Sequence, residues 1–291
     1  MKKNRLMLLT LVVALAMLFV GCGGNQGDTA EQPSDQTAEQ SNEQGTEAED
    51  QSWAKIKEKG KIIIGLDDNY PPAGFRDEKG ELVGVDIDLA KEACQRLGVE
   101  AVFQPVQWDG VLMNLKNGDI DLIWNALGIT PERQKEIAFT DVYMIDKNVI
   151  VVKADSPIRK KEDLAGKVIG LQLGSTAEPA VTNDPIGSEI KEIRKFESPT
   201  QALLDMQAGR IDAVVTNEMN GRYLITQEKA LDKYYILTEE EGYFGEEPYG
   251  VGVRMEDKAL LAELNRVLNE MKADGTAAKI SEKWFGSNII K

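Results

Sequence analysis

Residues 115–133 read LKNGDIDLIWNALGITPER, and residues 206–217 repeat the opening of that pattern as MQAGRIDAVVTN. Each stretch closes a helical run, passes a glycine and enters an apolar strand through an Ile-Asp pair, Ile120-Asp121 in one and Ile211-Asp212 in the other. A second echo lies ahead of each, KIIIGL from Lys61 and KVIGLQ from Lys167. Recurrence of one strand-and-helix unit at two places implies two lobes of the same plan facing each other. In the first stretch the strand occupies 120–124, and Thr130-Pro131 reads as a helix N-cap followed by proline at the first helical position. Arg133, in the first turn, is then aimed back at the loop after the strand. A capped helix start and a guanidinium converging on one loop suit a small carboxylate, because a helix N-terminus favours anions and arginine grips a carboxylate through two parallel hydrogen bonds.

Outward from this segment the pattern alternates strands and helices, the signature of an α/β architecture. Strands are expected at 62–66, 167–171 and 211–215. Helices are expected at 86–98, where Ile87, Ala90, Cys94 and Leu97 recur at helical spacing up to a glycine cap, at 109–117, from Ser198 with Pro199 in its first turn, and at 258–274.

The chain has 291 residues, 42% of them hydrophobic and 29% charged, with a net charge of −15. That length holds two compact domains. An acidic body lacks the basic footprint of a nucleic-acid binder. There is no histidine, which removes Ser-His and Cys-His nucleophile pairs, histidine zinc ligands and the commonest general base. No metal or cofactor is expected.

The N-terminus reads as a targeting segment. Lys2, Lys3 and Arg5 precede an apolar run at 6–20 that is short for a membrane span, and Val20-Gly21-Cys22 follows. Residues 23–52 are rich in Gly, Gln, Glu, Ser, Thr and Ala without a basic residue, a composition that cannot offset its ordering entropy and is expected to form a flexible acidic tether. Without the signal's three cations and the tether's eight acids, roughly −10 stays on the folded part. Only Cys94 remains beyond Cys22, so the mature domain has no internal disulfide.

GLDDNYPPAGF (65–75), GELVGVDIDLAKEAC (80–94), WDG (108–110), ITPER (129–133), LGSTAE (173–178), AGRIDAV (208–214), YGVGVR (249–254) and MKADGTAAKISEKWFG (271–286) together resemble the polar-amino-acid family of extracellular solute-binding proteins, the substrate receptors of ABC importers. The resemblance covers the chain from Trp53 onward, and the signal resembles that of a bacterial lipoprotein in which Cys22 becomes lipid-modified; Phe19 stands where leucine is usual. It implies a type II periplasmic-binding-protein fold: two α/β lobes joined by two crossover strands, with the ligand cleft between them. On that template residues 53–145 and 247–291 form lobe 1 and 146–246 form lobe 2. The protein would be a monomer tethered to the outer face of the cytoplasmic membrane, delivering an amino acid or related small carboxylate to a permease driven by its ATPase.

The resemblance also implies a set of ligand-binding residues. Asp67 and Tyr70 match the loop after the first strand, with Tyr70 stacking on the ligand, and Trp108 matches the side-chain end of the pocket. Asn125, Ala126 and Gly128 match the loop that receives the α-ammonium, and Arg133 the arginine that grips the carboxylate. Ser175 and Thr176 match the opposing helix N-terminus, and Asn217 the usual ammonium-binding aspartate. Capping or bracing its loop is the alternative role for Asp67, turn chemistry for Asn125, helix capping for Ser175 and Thr176, and core packing for Tyr70 and Trp108.

Three positions depart from the family: Gly128 replaces a hydroxyl, Asn217 replaces an aspartate, and Ala73 stands where a larger apolar side chain is common. Losing the aspartate removes a charge-assisted hydrogen bond worth about 1.5 to 3 kcal/mol. Either Asp67 or Glu218 takes over the ammonium, or the ligand's amino group is modified or absent; Tyr70, Trp108 and Trp124 offer aromatic faces to a methylated ammonium. Two readings from other classes stand beside solute capture. One is an enzyme resembling cyclohexadienyl dehydratase on the same scaffold, with Glu218 as its acid; the other is a sensor that reports ligand without transport.

Overall fold

The structure, a computed structural model, describes residues 50–227 and 232–291. The expected signal through Cys22 and the tether up to residue 49 lie outside the described residues. Residues 50–52, which composition assigns to the tether, are already held in the fold: the Asp50 carboxylate accepts hydrogen bonds from the Ser52 N–H at 2.8 Å and from the Ala259 N–H.

Helix α1 (Ser52–Lys59) leads into strand β1 (Lys61–Leu66). A small antiparallel trio follows, β2 (Asn69–Tyr70), β3 (Gly74–Arg76) and β4 (Leu82–Val83), and then α2 (Val85–Leu97), β5 (Glu100–Pro105), α3 (Val111–Asn117), β6 (Leu122–Ile123), α4 (Pro131–Gln134) and β7 (Ala138–Phe139). The long strand β8 (Met144–Lys153) carries the chain into a second group: β9 (Val168–Gln172), α5 (Ala177–Asn183), β10 (Glu192–Phe196), α6 (Pro199–Gln207), β11 (Ala213–Asn217), α7 (Glu218–Gln227) and β12 (Tyr234–Ile236). β13 (Glu246–Tyr249) returns to the first group, which ends with β14 (Gly252–Val253), α8 (Lys258–Ala273) and α9 (Thr276–Phe285).

Two sheets result, ordered β5-β1-β6-β14-β7 and β10-β9-β11-β8-β12. In each, three parallel strands are followed by an antiparallel one, β14 in the first and β8 in the second. The α/β arrangement of two lobes is the one expected. β8 and β13 run antiparallel between the sheets, with Asp146 opposite Glu247.

The echo in the sequence is an echo in space. Asp121 accepts the Ile63 N–H at 2.7 Å while its own N–H donates to Ile63 O, and Asp212 makes the same reciprocal pair with Val168. The Ile-Asp pair therefore locks each lobe's third parallel strand to its first. A Cβ at Gly65 would come within 3.0 Å of Ile120, and one at Gly170 within 3.0 Å of Ile211. In both lobes the isoleucine of the pair packs flat on the backbone of the neighbouring strand, and only glycine leaves it room.

Helix α2 ends at Gly98 in the left-handed region, φ 72°, and buries Ile87, Ala90, Cys94 and Leu97 as their spacing predicts. Cys94 is a buried free thiol, and burial pushes its pKa up to about 12. The helix expected at 109–117 begins at Val111, because Trp108–Gly110 form a tighter single turn first. The strand expected at 120–124 is paired only at Leu122–Ile123. Trp124 is 1% exposed and packs beside Tyr143 in the core of the first lobe, so it offers no face to a ligand.

Candidate functional site

The parallel strands β1, β6, β9 and β11 end toward the space between the lobes, where open α/β sheets place their ligand crevices. Ten side chains line a cavity there: Tyr70, Trp108, Asn125, Ala126 and Arg133 from the first lobe, Gln172, Ser175, Thr176 and Asn217 from the second, and Glu247 from β13. Its free volume is about 10 Å³, room for roughly one water and far below the roughly 300–1,000 Å³ usual for ligand pockets, so the lining side chains all but fill the cleft. The lobes are drawn together by direct hydrogen bonds: Gln172 Nε2 to Asp67 Oδ2 at 2.6 Å, Asn69 Nδ2 to Ser198 Oγ at 3.0 Å and Asn220 Nδ2 to Pro71 O at 2.5 Å. This is a closed state.

Arg133 is held as the sequence implies. Thr130 Oγ1 accepts the Arg133 N–H at 3.2 Å with Pro131 at the first helical position, and the guanidinium turns back to donate to Gly128 O at 2.9 Å. Its other terminal nitrogen reaches Gly174 O of the second lobe at 3.1 Å. Helix α4 is one turn long, however, and proline and the cap consume two of its first N–H positions. Any anion grip at this end rests on the guanidinium rather than on a helix terminus. Burial pulls the Arg133 pKa down, and the Glu247 charge opposes that.

The second lobe corrects another expectation. Neither Ser175 nor Thr176 caps α5 with its side chain: the Ser175 hydroxyl donates to Gln172 O at 2.7 Å, and no cap hydrogen bond is formed at Thr176. Both side chains line the cavity nonetheless.

Asp67 is a brace. Its carboxylate accepts the Asn69 N–H at 2.9 Å and Gln172 Nε2, and it borders an outer groove with Trp108 and Ser198 rather than the cavity. Burial pushes its pKa up while these two bonds pull it down. Asn125 accepts the Asp67 N–H at 3.1 Å through Oδ1, and its buried Nδ2 has no partner. Ala126 sits at φ 48°, a conformation that costs a non-glycine residue about 1 kcal/mol or more. The Asp86 carboxylate fixes it there by accepting the Ala126 N–H at 2.6 Å, together with the Tyr143 hydroxyl at 2.9 Å. Burial pushes the Asp86 pKa up to about 7.

Asn217 ends β11 with both ends of its amide engaged. Oδ1 accepts the Tyr70 hydroxyl, and Nδ2 donates to Glu247 Oε2 at 2.5 Å. Glu218 is not in the cavity: Arg222 Nε donates to it at 2.7 Å, and Lys147 lies 3.9 Å away. It therefore cannot serve the ammonium or act as an acid in the cleft.

Two lining residues escaped the sequence, Gln172 and Glu247. Gln172 directly precedes the LGSTAE motif and Glu247 lies two residues before YGVGVR. Only the convergence of β9 and β13 on the cleft marks them. Glu247 is 5% exposed, accepts Asn148 Nδ2 at 3.3 Å as well as Asn217, and lies so close to Gly128 that a Cβ there would collide with Oε1. Burial pushes its pKa up; hydrogen bonds from Thr176, Asn217 and Asn148 and the Arg133 charge pull it back.

Comparison with known proteins agrees with this architecture. The L-cystine-binding protein TcyJ of Escherichia coli K12 is 32% identical over 239 residues, 81% of this chain and 87% of that protein. The lysine/arginine/ornithine-binding periplasmic protein of the same strain is 35% identical over 82% of this chain and 92% of its own. The crystal structure of an ABC uptake transporter substrate-binding protein from Streptococcus pneumoniae with bound histidine superposes with a TM-score of 0.79 at 32% identity, covering 84% of this chain and 99% of that one. The ancestral amino-acid-binding protein AncCDT-1, a precursor of cyclohexadienyl dehydratase, gives 0.71 at 35% identity over 80% and 99%. The fold is that of the type II periplasmic binding proteins. The profile of the bacterial extracellular solute-binding proteins, family 3, matches residues 62–287, and the chain belongs to that family.

Proposed function

We propose that the protein is the substrate-binding lipoprotein of an ABC importer, capturing an amino acid or closely related small carboxylate by lobe closure and handing it to a membrane permease. The observation that carries this reading is the double engagement of Arg133, with Gly128 O of one lobe and Gly174 O of the other at the wall of an interlobe cavity. A guanidinium so placed binds a carboxylate entering the open cleft and, on closure, ties both lobes around it in a dry site where charge pairs gain strength. Tyr70 and Trp108 form aromatic walls, and Asn125, Ala126, Gly128, Ser175, Thr176 and Asn217 complete the contact set.

Residues 53–145 with 247–291, and 146–246, are the lobes on this reading, hinged at β8 and β13. The relatives named for cystine, histidine and basic amino acids support the amino-acid class and an exported location. Lipid attachment at Cys22 would keep the receptor beside its permease.

No covalent step is needed. The acid invoked for a dehydratase, Glu218, is paired with Arg222 outside the cavity. The carboxyl that does line it, Glu247, has its pKa pushed up by burial, and its Oε2 is already held by the Asn217 and Asn148 amides.

Calorimetric titration of the full chain with the common amino acids tests the reading. One or more should bind, and Arg133→Ala should abolish that binding while the thermal midpoint of the ligand-free protein stays within a few degrees. Tight binding retained by Arg133→Ala would refute the assigned pocket, and prephenate turnover would favour the enzyme.

A further inference from the structure

Arg133 and Glu247 are the two charged side chains in the cavity lining, and both meet Gly128: the guanidinium donates to its carbonyl oxygen at 2.9 Å, and the glutamate lies against its Cα on the side toward Asn217. Each lies within the other's field, and among the described residues no ion pair joins them directly. We infer that Glu247 receives the ligand's α-ammonium in place of the aspartate absent at position 217, so that the ligand is a zwitterionic α-amino acid spanning Arg133 and Glu247. This rests on the solute-binding reading above and specifies its chemistry.

Three features of the structure carry the inference. Asn217 Nδ2 and Asn148 Nδ2 both donate to Glu247 Oε2, which fixes the carboxylate's orientation and leaves Oε1 against Gly128 and Thr176. A hydroxyl-bearing residue at 128 would occupy the volume that Oε1 fills, so glycine there and glutamate at 247 are a matched pair. The second match is at 217. An aspartate at 2.5 Å from the Glu247 carboxylate would set two like charges side by side, and one would be forced to take up a proton. An asparagine instead donates to the glutamate, a hydrogen bond that opposes the effect of burial on its charge. With Gly128 and Asn217 around it, Glu247 therefore places the cavity's negative charge on the crossover strand rather than at position 217 of the second lobe.

The other acids near the cleft are committed elsewhere. Asp67 is bonded to Asn69 and Gln172, and Glu218 to Arg222. Asp146, opposite Glu247 on β8, accepts the Lys147 and Met219 N–H groups and the Tyr249 hydroxyl and does not line the cavity. A ligand ammonium thus has one carboxylate to meet.

The test uses calorimetry on the full chain with L-histidine, L-arginine and L-cystine and, for each that binds, the matching des-amino carboxylate. The unaltered chain should prefer the amino acid by roughly tenfold or more. Glu247→Gln keeps the shape and removes the charge. It should shrink that preference to about threefold or less while leaving affinity for the des-amino carboxylate nearly unchanged, and adding Asn217→Asp should restore the preference. A purely structural Glu247 would instead lower both affinities together. If Glu247→Gln does not fold, Glu247→Asp, shorter by one methylene, should weaken the amino acid selectively. Binding that Arg133→Ala abolishes but Glu247→Gln leaves fully selective for the amino group would overturn this assignment alone. Failure of the unaltered chain to bind any amino acid would overturn the underlying reading and this inference with it.

Discussion

The ends of β6 and β11 start from the same sequence plan and finish in opposite roles. Asn125 and Asn217 each stand at the end of their lobe's third parallel strand, after matching Ile-Asp pairs. Asn125 turns inward to accept the Asp67 N–H of its own lobe, and the chain beyond it folds into a loop that returns Arg133 to the cleft. Asn217 faces across, bonding Tyr70 of the other lobe and Glu247 of the crossover strand, and the chain enters α7 at once. One strand end has become a platform and the other a latch. The lesson is that a repeated fold unit fixes where a side chain sits, while the segment after it decides what that side chain meets.

The largest effect expected from breaking this comparison is at Arg133. Its replacement by alanine should cost roughly a hundredfold or more in affinity for the bound amino acid, since a buried charge-assisted pair is lost; calorimetry reads it. Next is Gly128→Ala. The added methyl would displace the Glu247 carboxylate, and affinity should fall by about tenfold, whereas the same change in a Glu247→Ala background should have little further effect. Additive losses would mean that the two residues are independent.

The matched glycines sharpen the comparison on the side of stability. Gly65→Ala and Gly170→Ala should each destabilise by about 1–3 kcal/mol in denaturant unfolding, because each methyl overpacks against an isoleucine in the same relation. A large effect at one and none at the other would break the structural equivalence of the lobes.

The smallest effect is one of pH, at Asp86 beneath the first-lobe loop. Its folded pKa of about 7 lies above the model-peptide value of 3.8, so between these values the folded chain holds a proton that the unfolded chain releases. Its contribution is therefore most favourable below 3.8 and is lost as pH rises through about 7. Asp86→Asn should flatten the fall in thermal midpoint across that window. An unchanged slope would assign the titration elsewhere, with Asp146, also raised to about 7 by burial, as the next residue to test.

Much of this was legible in the chain. The echo at 115–125 and 206–217 needed only periodicity and two Ile-Asp pairs, because a buried parallel strand leaves its pattern in consecutive residues. The cap at Thr130 and the return of Arg133 were equally local. The reading failed where contacts come from residues far apart. Trp124 looked available as an aromatic face, yet the strand end turns it into the core against Tyr143. Ser175 and Thr176 looked like caps, yet the turn at Gln172 takes the first hydroxyl and α5 begins without the second.

The amino-acid order alone determined two α/β lobes and an arginine turned back to the loop after one strand, since each of these is written within a few neighbouring positions; the crossover strands followed only from the family resemblance. The acid that shares the cavity with that arginine was decided only in three dimensions. Glu247 is separated by 30 residues from Asn217, and by more from Asn148 and Gly128. Nothing in its own neighbourhood distinguishes it from a surface glutamate on an acidic chain. It becomes a buried carboxylate in the field of a guanidinium because the returning strand β13 pairs with β8 and brings its side chain into the space that a glycine left open.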